Sequence, residues 1–415
     1  MELASTSARP TPLRLPREVW VLVTVSFVIA LGFGIVAPAL PTFARSFDVS
    51  VTAASIVVSA FAFMRLAFAP VSGKLVSAFG ERPIYIWGII VVGLSTGACA
   101  FAADYWQLLV LRSLGGVGST MFTVSAVALL IRLTPPALRG RSTSLWSSSF
   151  LLGGVTGPLV GGGLIGISLR APFVVYAVAL FVAAAVAWLF LRRSTVLGVV
   201  SAADIPTLTV RAAFGHPAYR AALAANFANG WAVTGVRVSL VPLFVVEVLH
   251  RAESLAGVAL SVFAGGTVAV LMFSGRLADS LGRRLPMLIG LVVTGGATIW
   301  LGFTSGVPEF LAAALIAGAG TGLITPALGA TVADVIGSQA KGGPVLAIAQ
   351  MTSDIGAILG PIATGLLADQ LSYSAAFVLT GSISLLAAAV WLRSPKVLAP
   401  KDTQRAPAPI SAPSR

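Results

Sequence analysis

Twelve apolar runs, each about 18 to 26 residues long, recur along this chain, and that is the length a helix needs to cross a hydrocarbon layer of about 30 Å. They lie near 19–41, 52–73, 84–103, 107–131, 142–165, 171–191, 220–245, 255–274, 285–304, 309–333, 343–368 and 374–392, numbered below as spans 1 to 12. Lipid offers no water to satisfy backbone N–H and C=O groups, so only helices or closed barrels cross it. Unbroken apolar runs, without alternation, select helices. The chain is 57% hydrophobic and only 10% charged, with a mean hydropathy of +0.96. A soluble domain carries about 25% charge. The first run is long, continues into Pro38 and Pro41 and lacks a small-residue cleavage site, so it reads as a retained span and not a signal peptide.

The formal charge of +13 would suggest nucleic acid in a soluble protein, but its placement says otherwise. With the N-terminus inside, basic residues gather at the inner ends: Arg9, Arg14 and Arg17, then Lys74 and Arg82, then Arg132, Arg139 and Arg141. They continue with Arg192, Arg193, Arg211 and Arg220, then Arg276, Arg283 and Arg284, then Lys341 and the C-terminal tail. Only Arg45, Arg170 and Arg251 fall outside. The positive-inside rule therefore puts both termini in the cytoplasm, and the basic excess is a topology signal that calls for no nucleic acid. One cysteine, Cys99, and two histidines, His216 and His250, exclude a disulfide framework and a Cys/His zinc site. No metal or cofactor is expected.

The second half repeats the first at a shift of about 202 residues. Gly34 to Pro41 and Phe43 match Gly235 to Pro242 and Phe244; Gly73-x-Leu75 matches Gly275-x-Leu277; Gly80 matches Gly282; Gly116 and Gly118 match Gly318 and Gly320. Gly153-x-x-x-Gly157-Pro158 matches Gly356-x-x-x-Gly360-Pro361. Each repeat holds six spans, an even number, so the two halves keep one orientation about an axis along the membrane normal. The expected organisation is an N-terminal cytoplasmic tail 1–18, a six-helix bundle 19–191, a central cytoplasmic loop 192–219, a second bundle 220–392 and a disordered tail 393–415.

These residues resemble the major facilitator superfamily, and within it the twelve-span drug:proton antiporters, over the whole chain apart from its tails. The stretch Gly153-Gly154-Val155-Thr156-Gly157-Pro158-Leu159-Val160-Gly161-Gly162 resembles the antiporter motif of span 5 without a gap. Leu31-Gly32 through Pro41 resembles the span 1 pattern, and Leu108-x-x-x-Arg112 with Gly116 and Gly118 resembles the span 4 motif, with Gly115 where a Gln is common. The loop from Gly73 through Gly80 to Arg82 resembles the signature between spans 2 and 3, with Ser77 for the usual Asp and Glu81 for a usual Arg. Its second copy, Gly275 to Arg284, keeps Asp279, Gly282 and Arg283. The resemblance implies that these loops act as cytoplasmic latches and that Arg112 takes part in proton transfer by biasing a nearby acid or water.

Glycines four apart let helix backbones approach, and Pro158 frees a backbone carbonyl and permits a kink. Charges inside a span are costly, which makes Arg65, Arg112, Arg237 and Asp354 functional candidates. Arg112 is near enough to its span end to snorkel, the plainer reading. Arg65 and Asp354 lie at similar depth from the inner ends of spans 2 and 11, so an ion pair between them would bias proton binding at the acid; a permanent structural bridge is the alternative. On span 7, Asn226, Asn229, Val233 and Arg237 fall at helical spacing and put three polar groups on one stripe, a face expected to line a substrate cavity. Trp231 and Trp146 are candidate aromatic contacts, though tryptophans in membranes are more often interfacial or packing residues. Span 10 adds only Thr321 and Thr325.

One embedded acid and mostly apolar walls suit an amphipathic molecule better than a sugar, whose hydroxyls would need many partners. The expectation is a monomeric, proton-coupled exporter of amphipathic compounds in a bacterial inner membrane, taking a small-molecule substrate and protons as partners within the lipid bilayer. A transporter specific for one metabolite, such as a sugar, sugar acid or siderophore-like product, is the alternative, since span 1 carries no embedded acid. A receptor or membrane enzyme would need a sensory domain or a catalytic constellation, and the sequence offers neither.

Overall fold

A computed structural model describes residues 15–135, 138–191, 208–337 and 342–393; the side chains at 139, 276 and 278–281 lie outside what it describes. The two tails, most of the central loop, Lys341 and the Asp279 carboxylate therefore lie outside the described residues.

Twelve helices are long and apolar enough to cross a membrane: Arg17–Val36, Val51–Phe79, Glu81–Cys99, Tyr105–Leu133, Gly140–Ile165, Ala171–Leu191, Pro217–Glu247, Ser254–Gly275, Arg284–Leu301, Val307–Ile336, Gly343–Gln370 and Tyr373–Leu392. All twelve predicted spans are present, and this is an all-α membrane protein. Helix starts follow local chemistry. Ser50 accepts a hydrogen bond from Ala53 N at 3.2 Å to cap span 2, and Asp104 accepts one from Gln107 N at 2.8 Å to cap span 4. Pro217 opens span 7 three residues earlier than the hydropathy pattern suggests, because a proline at the first helical position gives up an N–H that would have no partner anyway.

The connections after spans 2 and 8 differ from the expected loops. Helix runs through Gly73 to Phe79 and through Gly275 to Leu281, so the first connection shrinks to Gly80 and the second to Gly282 and Arg283. Nothing between Gly73 and Phe79 breaks a helix, and the turn is made by Gly80 at φ +84°, matched by Gly282 at φ +79°. Only glycine adopts that backbone without cost, which is why the pair recurs in both halves.

Contacts inside each half repeat with the sequence. A Cβ at Gly88 would stand 2.8 Å from Gly118 O, and one at Gly290 would stand 2.7 Å from Gly320 O, joining span 3 to 4 and span 9 to 10. Gly116 abuts the Phe61 carbonyl of span 2, and Gly318 the Phe263 carbonyl of span 8. With hydrophobic driving force weak between helices in lipid, such close approach of backbones holds spans together.

By packing, the chain divides into two compact units. One holds Met1–Ala203, Gly235–Ser261 and Ile358–Ser372; the other holds Asp204–Thr234, Val262–Ala357 and Tyr373–Arg415. The first unit thus joins the six spans of the first half to end segments of spans 7, 8 and 11. Within it, Arg45 pairs with Glu247, Asp369 bonds to Val51 and Thr52, and Ser59 Oγ donates to Ile358 O at 2.8 Å.

Candidate transport machinery

The span 5 motif forms a ridge against span 1. A Cβ on Gly153 would lie 2.6 Å from Leu31 N, one on Gly157 would lie 2.7 Å from Gly34 Cα, and one on Gly161 would lie 2.9 Å from Ile35 C. Every fourth residue therefore has to lack a side chain. Pro158 packs at the same contact, its Cδ 2.8 Å from where a Gly34 Cβ would stand. Gly162 points elsewhere, to the start of span 8, where its Cβ would meet Ser254 O at 2.8 Å. Gly154 and Gly163 face open space.

Arg112 does not snorkel. It is 5% exposed, with its guanidinium carbon 4.2 Å from the centroid of the Phe61 ring and 5.8 Å from that of Phe33. The aromatic faces supply negative potential to a cation that has left water. Its Nε makes no hydrogen bond among the described residues.

Span 7 is the most buried of the twelve, and it is not one continuous α-helix. An α segment Pro217–Asn229 passes into a π segment Gly230–Val236 and then into a second α segment Arg237–Glu247. Asn226 and Asn229 are half-buried, whereas Arg237 is 6% exposed and packed away. Spacing read at 3.6 residues per turn does not carry through a π turn, so Arg237 does not continue the helical register of Asn226 and Asn229. Trp231 is 6% exposed and packs on Phe227, ring centroids 5.7 Å apart; Trp146 packs edge-on against Phe150 at 4.9 Å. Neither indole N–H finds an acceptor among the described residues. On span 10, Thr321 is buried and returns its hydroxyl to Ala317 O at 3.0 Å, and Thr325 bonds Thr321 O at 3.2 Å, so both are engaged by their own helix.

Arg65 and Asp354 are both half-buried. Asp354 Oδ1 accepts a hydrogen bond at 3.0 Å from Gln350 Nε2, one turn earlier on span 11, a partner that the i, i+4 spacing offered and the sequence reading passed over.

The latches hold a second finding. Arg283 Nε lies 3.2 Å from Asp334 Oδ2, and Arg132 pairs with Glu81 in the first half. Glu81 and Arg283 are repeat mates, as are Arg132 and Asp334, so the same bond joins the start of span 3 or 9 to the end of span 4 or 10 with its charges exchanged. Glu81, odd against the family pattern, is matched by an equally inverted partner. Among the described residues Ser77 Oγ bonds only its own helix, at Gly73 O. A Cβ at Gly73 or Gly275 would meet nothing within 4 Å.

Comparison with known proteins agrees with this geometry. The family profile of the Major Facilitator Superfamily matches residues 22–250 and again 222–414. Multidrug resistance protein 2 of Bacillus subtilis is 24% identical over 365 residues, covering 84% of this chain and 88% of that protein. The class B tetracycline resistance protein of Escherichia coli is 26% identical over 361 residues, covering 82% and 86%. Among solved structures, an inward-facing, unoccupied bacterial homologue of the human lysosomal transporter Spinster aligns with a TM-score of 0.74 at 17% identity, covering 90% of this chain and 95% of that one. The two profile matches overlap at 222–250 and together run from residue 22 to 414, and the chain belongs to the Major Facilitator Superfamily.

Proposed function

We propose that this chain is a proton-coupled exporter of amphipathic compounds, acting as a monomer in a bacterial inner membrane with both termini in the cytoplasm. The observation that carries the reading is the glycine ridge of span 5, since its 153–157–161 spacing is spent on backbone contact with span 1 and matches the antiporter motif throughout. The relatives named for multidrug and tetracycline resistance support export of drug-like compounds. Transport in this reading proceeds by alternating access.

In this reading Arg65 and Asp354 couple transport to protons. Arg65 supplies the embedded cation and Asp354 the embedded acid that such coupling needs. Arg112, held under two aromatic rings, biases the water or acid beside it.

The test is transport by purified protein in liposomes under an imposed pH gradient, with tetracycline and a lipophilic cationic dye as probes. The unsubstituted chain should concentrate at least one probe against its gradient. Asp354→Asn should lose that accumulation and keep binding; a variant that still accumulates substrate removes Asp354 from the coupling path.

A further inference from the structure

The π turn of span 7 sits where the repeat gains one residue. Gly153 of span 5 abuts Phe27 O and Leu31 N of span 1, and its mate Gly356 of span 11 abuts Phe227 O and Trp231 N of span 7. Those contacts equate residues 200 apart, whereas the match from Gly34 to Gly235 onward equates residues 201 apart. Span 7 therefore takes in one extra residue between Trp231 and Gly235. Gly230–Val236 is the segment that turns π, while span 1 stays α from Arg17 to Val36. A ring closed from i to i+5 absorbs an added residue without breaking the helix, and such turns gather at functional sites.

The extra residue changes which side chains follow Asn226 and Asn229. An uninterrupted α-helix would continue the stripe through Val233 to Arg237. Here Thr234 is exposed and Arg237 is buried. At the same turn two polar atoms are buried and make no hydrogen bond among the described residues: Asn229 Oδ1, an acceptor, and Trp231 Nε1, a donor. A buried donor and a buried acceptor left open near the middle of a span ask for a partner from outside the chain.

Resting on the exporter reading above, we propose that this π turn is the ligand-selecting element of span 7. It withdraws the Arg237 cation from the polar face. In its place it offers an uncharged pair, the Asn229 amide oxygen and the Thr234 hydroxyl, which a ring closed from i to i+5 brings to one side of the helix. The ligand class that fits is an uncharged or cationic amphiphile with hydrogen-bonding groups, and an anion finds no countercharge on this face.

Two measurements test it. Cys99 is buried and is the only native cysteine, so single substitutions Thr234→Cys, Arg237→Cys and Leu240→Cys can be compared by their reaction with a water-soluble methanethiosulfonate. Thr234→Cys should react at least about tenfold faster than the other two, Leu240→Cys serving if Arg237→Cys does not fold. Equal rates, or the reverse order, overturn the register and the proposal with it. Ligand selection is read with Asn229→Leu and Thr234→Val, using tetracycline, which carries several hydroxyls and an amide, and tetraphenylphosphonium, a cation without hydrogen-bonding groups. Loss of one hydrogen bond should weaken tetracycline binding about tenfold and leave tetraphenylphosphonium within about twofold; equal effects on both probes overturn the assignment. Failure of the unsubstituted chain to transport either probe would defeat the exporter reading, while the cysteine rates would still decide the turn.

Discussion

Arg45 Nε lies 2.7 Å from Glu247 Oε1, tying the ends of spans 1 and 7 just after their matching Pro41-x-Phe43 and Pro242-x-Phe244 sequences. In the repeat register Arg45 matches Val246, so the bond joins positions one residue from equivalence. Each side chain is about one-third exposed, at 33% and 28%, which limits what the pair adds to stability. A double-mutant cycle on Arg45→Ala and Glu247→Ala should give a coupling of about 1 kcal/mol or less. The transport rate is the more sensitive readout: if alternating access parts these ends, removing the bond should change the rate more than it changes thermal stability. A coupling of several kcal/mol would mean that the pair is a fixed strut.

Asp369 is bound more tightly to the same end of the molecule. Its Oδ1 accepts from Val51 N at 2.9 Å, and its Oδ2 accepts from Thr52 N at 2.8 Å and Thr52 Oγ1 at 2.6 Å. A carboxylate from span 11 thus caps the start of span 2, taking up N–H groups that a helix cannot satisfy itself. Asp369→Ala should cost about 1 kcal/mol, as loss of an N-cap does. Thr52→Val, which keeps both backbone bonds, should cost less. Unfolding curves of the two variants decide it, and equal losses would place the energy in the hydroxyl and not in the cap.

Much of this architecture was legible in the sequence, and the limits have physical causes. Span number follows from apolar length, because lipid forbids any other solution. The glycine ridge of span 5 was legible because only small residues permit that approach. The burial of Arg237 was not legible because hydrophobic spacing assumes one helical period, and a single inserted residue leaves no mark on composition. The insertion shows only once Gly356 is seen against Phe227 and Trp231, as a step from 200 to 201 before Gly235. Glu81 looked like a defect because its partner, Arg132, is 51 residues away, and pairing across that distance appears only when spans 3 and 4 pack together.

The exchanged latch charges make a sharp prediction. Glu81→Arg restores the residue usual in the family, yet here it would face Arg132, and like charges at that distance repel. That variant should lose transport and stability, by about 1 kcal/mol at these partly exposed side chains. The further change Arg132→Glu should recover both, since the pair would then have the polarity of Arg283 and Asp334. Recovery in the double variant, measured as transport in the same liposomes, separates charge pairing from a need for glutamate as such. Impairment that persists in the double variant would show that Glu81 does something other than hold Arg132.

Three glycines that look alike in sequence should behave differently. At Gly157 a side chain would strike the span 1 backbone at Gly34, so Gly157→Leu should abolish export while folded protein still reaches the membrane, the two helices being forced apart. At Gly80 there is open space but φ is +84°, so Gly80→Ala should cost about 1 to 2 kcal/mol from backbone strain alone. Gly73 is helical with open space around it, and Gly73→Ala should stabilise by about 0.5 to 1 kcal/mol. Thermal unfolding and transport measured on the three variants give a definite pattern to look for. The informative exception is Gly73→Ala: a variant that is more stable yet transports poorly would mean that Gly73 must meet another backbone in a second state of the cycle. Normal transport would leave this glycine without a mechanical role and confine the latch to Gly80 and the Glu81 and Arg132 pair.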